Sequence, residues 1–181
     1  PADIKVTKHF CETMHERKIP FILLDSYIPD VNPLTFFGQD SFSSGKFAAK
    51  MLMLLAVNDK EIMLFKRMKN GKVASRQQEN RELGFRHYMN EHFPNVRIAE
   101  LDVPVEGSPE SNEKKLEQFF SAHPGIRNCI TLGSKAHIVG EFLLKTNRRS
   151  VQIMGYDMVE KNAQCLRKGS ISFLIAQHAY M

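Results

Sequence analysis

VQIMGYDMVEKNAQCLRKGSISFLIAQ, residues 151–177, decides how the rest of the chain is read. An apolar run closes on Asp157, a helical segment is stopped by Gly169, and a second apolar run closes on Gln177. Apolar run, helix, apolar run is the pattern of a βαβ unit in a parallel sheet buried on both faces. In such sheets ligands sit in the crevice beyond the carboxyl ends of the strands. Asp157 and Gln177 fall just past two such ends.

The same grammar extends toward the amino terminus. Residues 128–132 read as a strand, and Ser134 as the cap of a helix with Ile138, Val139, Phe142 and Leu143 on its inner side. Residues 96–103 form another strand. Ser108, Pro109 and Glu110 suit the N-cap, first and second positions of a helix that turns Leu116, Phe119 and Phe120 inward. Upstream, residues 61–66 form a strand followed by a basic loop, residues 66–76, with Lys66, Arg67, Lys69, Lys72, Arg76 and no acid. Ser75 with Gln78 is a capping-box signature for a helix running to Phe93 and stopped by Pro94. Five strands alternating with four helices from residue 59 onward predict an α/β fold: a doubly wound parallel sheet with helices on both faces.

Residues 1–58 supply less. They hold a helix over 7–18, short strands over 21–24 and 35–38 that finish at Asp25 and near Asp40, and a helix capped at Ser41 or Ser43. Two strands do not make a self-sufficient sheet. The expected organisation is a partial first lobe over 1–58 and a nearly complete second lobe over 59–181, ending at the crossover back to the first. A start at Pro1 and a stop soon after an apolar run suggest a segment excised from a longer protein.

Composition narrows the function. No apolar run is long enough to span a membrane, and no signal peptide opens the chain. The net charge of +5 suits a solvated surface and leaves room for an anionic ligand or an adjoining nucleic-acid-binding region. Cys11, Cys129 and Cys165 lack CxxC spacing and read as reduced thiols of a cytosolic protein. His87 and His92 do not share a helix face, no HExxH occurs, and neither metal nor cofactor is expected. Absence of GxSxG, a Walker loop and a helix-opening GxGxxG argues against an enzyme.

Asp25, Asp40, Ser134, Asp157 and Gln177 all fall at strand ends, and Arg81 lies early enough in its helix to reach the same edge. Carboxylates accept from hydroxyls, guanidinium donates in a rigid fork, and an amide does both, which suits a polyhydroxylated ligand. Each residue also has a purely structural reading, since Asp after a strand is a common cap or turn residue and Arg81 is spaced to pair with Glu79 or Glu82. The case for a site rests on all six sharing one edge.

The sequence resembles the effector-binding core of the LacI/GalR transcription regulators, which share a fold with type I periplasmic sugar-binding proteins. Residues 19–25 (IPFILLD) are similar to the family's IPVVxxD strand, and residues 38–45 to its xxDNxxxG helix start. Residues 81–85 match RxxGF, residues 155–157 match GFD, and residues 175–177 resemble xxQxP. The resemblance implies effector contacts from Arg81, Asp157 and Gln177 on one lobe, and from Asp25 and Asp40 on the other. Ser134 and Lys135 depart from the family's Asn-Asp, Ser41 from its Asn, and Ala179 from its Pro. The implied function is a cytoplasmic, homodimeric regulator whose sugar-like effector closes two lobes and controls DNA binding through a helix-turn-helix absent from this chain. The alternative is a periplasmic sugar-binding protein of a transporter or sensor kinase.

Overall fold

A computed structural model describes residues 4–25, 27–73 and 75–176, and Gln177 lies outside them. The chain divides into two compact units between Asp40 and Ser41.

The first unit consists of α1 (Ile4–Glu16), β1 (Leu23–Leu24) and β2 (Phe36–Phe37). The two strands pair in parallel, Leu23 opposite Phe36 and Leu24 opposite Phe37. Its core is four buried residues, Cys11, Leu23, Ile28 and Val31, with Phe21 and Phe36 packed against them. The His15 ring anchors α1 by an edge-on contact with Phe21 and by lying 2.8 Å from the Val31 carbonyl. So small a sheet buries little, and Leu34 is left 73% exposed.

The second unit begins with α2 (Ser41–Leu55), followed by β3 (Glu61–Lys69), β4 (Lys72–Val73) and α3 (Arg76–His92). β5 (Arg97–Pro104), α4 (Pro109–Ala122), β6 (Asn128–Thr131) and α5 (His137–Lys145) come next. β7 (Gln152–Tyr156), α6 (Glu160–Arg167) and β8 (Phe173–Ile175) complete it. β5, β3, β6, β7 and β8 lie side by side in that order, all parallel. The predicted alternation and doubly wound sheet are therefore present.

Strand alternation builds one core on each face. Met63, Phe65, Cys129 and Ile153 point toward α4, α5 and α6. Ile62, Leu64, Ile130 and Met154 point toward α2 and α3. This second face explains why α2 falls within the second unit, although the sequence boundary at residue 58 grouped it with the first. Ala48, Ala49, Leu52 and Met53 of α2 share a core with Phe85 and Met89 of α3. The two helices cross at glycines. A Cβ on Gly45 would sit 2.0 Å from the Arg81 carbonyl oxygen, and one on Gly84 would sit 1.9 Å from that of Phe42. Two of the glycines in the family-like motifs thus let one helix backbone rest on the other.

The structure corrects two local expectations. The basic stretch after β3 is a hairpin rather than a loop: β3 runs on to Lys69 and β4 returns antiparallel, with Lys69 opposite Lys72. Asn70 and Gly71 turn it with φ of +52° and +74°, the left-handed pair that a two-residue hairpin favours. Met68 pairs with Pro104 of β5 on one side and Val73 of β4 on the other, so β4 occupies the flank that β6 leaves open. Ser134, read as a helix cap, does not cap α5, which begins after Ala136 with no side-chain cap. Ser75 and Ser108 do cap, their hydroxyls accepting from the amides of Gln78 and Ser111 at 3.2 Å.

Candidate functional site

The sheet order turns on β3. The chain leaves β3 for β5 on one flank, then crosses back to β6 on the other, and such a reversal opens a crevice beyond the carboxyl ends of the two diverging strands. A cleft of about 500 Å³, including the solvent in its mouth, lies there. Its polar lining comes from Lys66 and Arg67 on β3, Gln78 and Glu82 on α3, and Ser134 and Lys135 after β6. Val73 brings the hairpin to its edge.

Arg81 is 1% exposed. Its guanidinium lies 4.1 Å from the centre of the Tyr156 ring and donates to the Leu132 carbonyl at 3.0 Å. One buried cation thus braces the ends of both β6 and β7. Glu82, one of the two acids that the spacing of Arg81 suggested, takes Lys66 at 3.4 Å and Arg86 at 2.7 Å. Lys66 also meets Glu100, and Asp102 at 3.6 Å, while Arg86 reaches Glu100 at 2.7 Å. Burial alone would lower the Lys66 pKa, but the hydrogen bond to Glu100 and the nearby carboxylates outweigh it and raise it. The same partners lower Glu100 against its own desolvation. This network fixes one wall of the cleft in its charged state.

The opposite wall depends on a residue that sequence reading did not single out. Asn162, in the first turn of α6, is wholly buried. Its Nδ2 lies 3.0 Å from each of the carbonyl oxygens of Ser134, Tyr156 and Asp157. Its Oδ1 accepts from the His137 amide at 2.9 Å and lies 3.0 Å from His137 Nδ1. One amide group therefore joins the loop after β6, the loop after β7 and the start of α5. The signal was an Asn among the inward positions of α6, beside Ala163 and Cys165. Tyr156 adds a further tie, its hydroxyl donating to the Ser44 carbonyl at 2.9 Å. Burial pushes its phenol pKa upward.

Of the six expected residues, Ser134 lines the cleft, Arg81 is buried beneath the ends of β6 and β7, and Asp157 directly follows β7 without appearing in the lining. Ser134 and Asp157 are half-buried. Asp157 adopts φ +67° while its amide donates to Ile175 at 2.9 Å, which leaves the residue turned out of the β7–β8 ladder. Asp25 and Asp40 are exposed residues of the first unit. Asp25 repeats the backbone geometry, with φ +65° and its amide donating to Phe37 at 2.8 Å. Among the described residues no group of three His, Cys, Asp or Glu side chains is placed to hold a metal. Burial raises the pKa of the Cys129 and Cys165 thiols, away from nucleophilic reactivity. No described helix is long and apolar enough to cross a membrane.

Comparison with known proteins agrees with this architecture. A solved structure of a candidate LacI transcriptional regulator from Bacteroides fragilis is 46% identical, with a TM-score of 0.89 over 98% of this chain and 61% of that one. A sugar ABC transporter's sugar-binding protein from Bacillus halodurans is 18% identical (TM-score 0.80, 93% of this chain, 57% of that one). A carbohydrate transporter solute-binding protein from Agrobacterium radiobacter, in complex with D-arabinose, is 19% identical (TM-score 0.74, 92% of this chain, 58% of that one). At those lower identities the likeness is one of fold. The chain spans less than two thirds of the length of each. A search of curated proteins found no significant match. The parallel sheet, the crevice at its switch point and a sequence match over residues 1–181 place this chain in the periplasmic binding protein domain family, with the type I fold.

Proposed function

We propose that this chain is the ligand-sensing part of a LacI-type transcriptional regulator, taking a small sugar or sugar-like effector at the cleft beyond β3 and β6. The observation that carries the reading is the bracing of that rim. Arg81 and Asn162 fix the two strand-end loops from below, so that Ser134 and Asp157 are offered to a ligand in set positions. Preorganised polar groups of this kind bind without much further ordering. The 46% identity to a candidate LacI regulator favours regulation over transport.

In this reading Ser134 and Asp157 receive sugar hydroxyls, and Asp25, Asp40 and Gln177 supply further effector contacts. Arg81 supports the site and orients its carbonyls. The chemistry is binding rather than turnover. An effector changes DNA affinity only as far as it binds one arrangement of the intact protein better than the other. The regulator acts as a cytoplasmic homodimer, with DNA held by a region outside this chain.

The test is a thermal-shift screen of the intact protein against aldoses, starting with D-arabinose, followed by DNA-retention assays with every sugar that raises the melting temperature. A stabilising sugar that also changes DNA retention supports the proposal. A stabilising sugar with no effect on DNA in any format removes the regulatory part.

A further inference from the structure

The charge around the cleft is divided unevenly, and the division bears on the ligand. Lys66 is engaged by Glu82, Glu100 and Asp102. Glu82, the acid in the cleft's lining among the described residues, is in turn shared with Arg86 and so is already compensated. Arg67 and Lys135 also line the cleft, and neither has a carboxylate within ion-pair distance among the described residues. Arg67 is held by its backbone contact to the Val105 carbonyl, which anchors the side chain without compensating its charge. The hairpin at the cleft's edge adds Lys69 and Lys72, and Arg76 opens the next helix, again with no acid partner among the described residues.

Elsewhere in the second unit Lys145, Arg148 and Arg167 have carboxylate partners, Glu113, Glu117 and Glu160, while Lys60, Lys161 and Lys168 have none among the described residues, so what sets Arg67 and Lys135 apart is that they line a cleft. Uncompensated cations gathered around a concave surface focus field lines into it and raise the local concentration of anions. Ser134 in the same lining offers a hydroxyl, and the ordered hairpin brings Arg67 and Val73 to the cleft.

We propose that the ligand of this cleft is a phosphorylated sugar, its hydroxyls facing Ser134 and Asp157 and its phosphate dianion facing Arg67, Lys135 and the β3–β4 hairpin. The inference rests on the sensing role proposed above and narrows its ligand class. A dianionic phosphate satisfies several cations at once, where a neutral sugar would leave them uncompensated.

The experiment titrates the intact protein calorimetrically with matched pairs, D-arabinose against D-arabinose 5-phosphate and D-glucose against D-glucose 6-phosphate, at constant ionic strength. The expected result is that at least one phosphate ester binds roughly tenfold or more tightly than its parent sugar, as charge-assisted hydrogen bonds predict. Lys135→Glu should abolish that preference. Lys168→Glu, the same charge change at the end of α6, should leave it intact. A parent sugar that binds as well as its ester overturns the phosphate inference and leaves the sugar sensor standing. Equal losses in the two variants attribute the preference to net charge and also overturn it. If no sugar or ester binds, and inorganic phosphate shifts neither melting temperature nor DNA retention, the sensing role and the inference fall together.

Discussion

Asp25 and Asp157 have nearly the same backbone and very different surroundings. Each follows a short parallel strand, sits at φ +65° or +67°, and donates its amide to the neighbouring strand at 2.8 or 2.9 Å. Beneath Asp157 lie a fully buried Tyr156, the Arg81 brace and the Asn162 clamp. Asp25 follows Leu24, which is 66% exposed, over a four-residue core. The comparison teaches that the strand-end turn is a local device, while its rigidity comes from the layers under it. In the second unit those layers are complete on both faces.

The widest separation should appear in core truncations. Phe85→Ala empties a wholly buried site between α2, α3 and the sheet and should cost about 3–5 kcal/mol in denaturant unfolding of the intact protein. Leu34→Ala in the first unit should stay within about 0.5 kcal/mol, since Leu34 is largely exposed. Equal costs would mean that Leu34 is buried in the intact protein and that the two units are closer in kind than this chain suggests.

The brace comes next. Arg81→Ala removes a buried donor and leaves the Leu132 carbonyl unpaired, which should cost about 1–3 kcal/mol of stability. Effector affinity should fall roughly 10- to 100-fold as the rim loosens. Calorimetry showing unchanged affinity in a folded variant would remove Arg81 from any role in the site. Asn162→Ala should destabilise by about 1–3 kcal/mol, and hydrogen exchange should quicken in the loops after β6 and β7 together, because one side chain holds both.

The local device itself is tested by Asp157→Ala and Asp25→Ala. Left-handed φ penalises Ala at either position, so each should lose about 1 kcal/mol. A cost confined to Asp157 would show that the two turns are not equivalent.

The smallest effect is a pH slope. Burial lowers the His137 pKa, with the Asn162 contact opposing it only in part. The folded state then binds this proton less readily than the unfolded chain, so the stability it contributes is present above the unfolded value of about 6.5 and is lost as pH falls toward the lower folded value. His137→Gln should flatten that part of the stability–pH curve.

Much of the fold was legible in the chain, because alternating apolar runs and capped helices are local patterns. The five parallel strands, their helices, and the Ser75 and Ser108 caps follow from residues close together in sequence. The two misreadings were also local choices. Asn70-Gly71 turns a hairpin where only a basic loop was expected, and Ser134 was assigned to capping although Asn162 holds its carbonyl. The candidate site was half legible. Strand-end placement drew attention to Ser134 and Asp157, but not to Asn162, nor to the burial of Arg81.

By itself, then, the sequence determined which segments become strands and helices, and hence a layered parallel sheet with polar residues at its carboxyl edge. Only the tertiary structure decided which helix covers which face, why Gly45 and Gly84 must be glycine, and which cations are neutralised. Lys66 meets Glu100 across 34 positions of chain, and Tyr156 meets Ser44 across 112. Local propensity acts through near neighbours, whereas burial, ion pairing and carbonyl clamping depend on groups that only the folded sheet brings within hydrogen-bond reach.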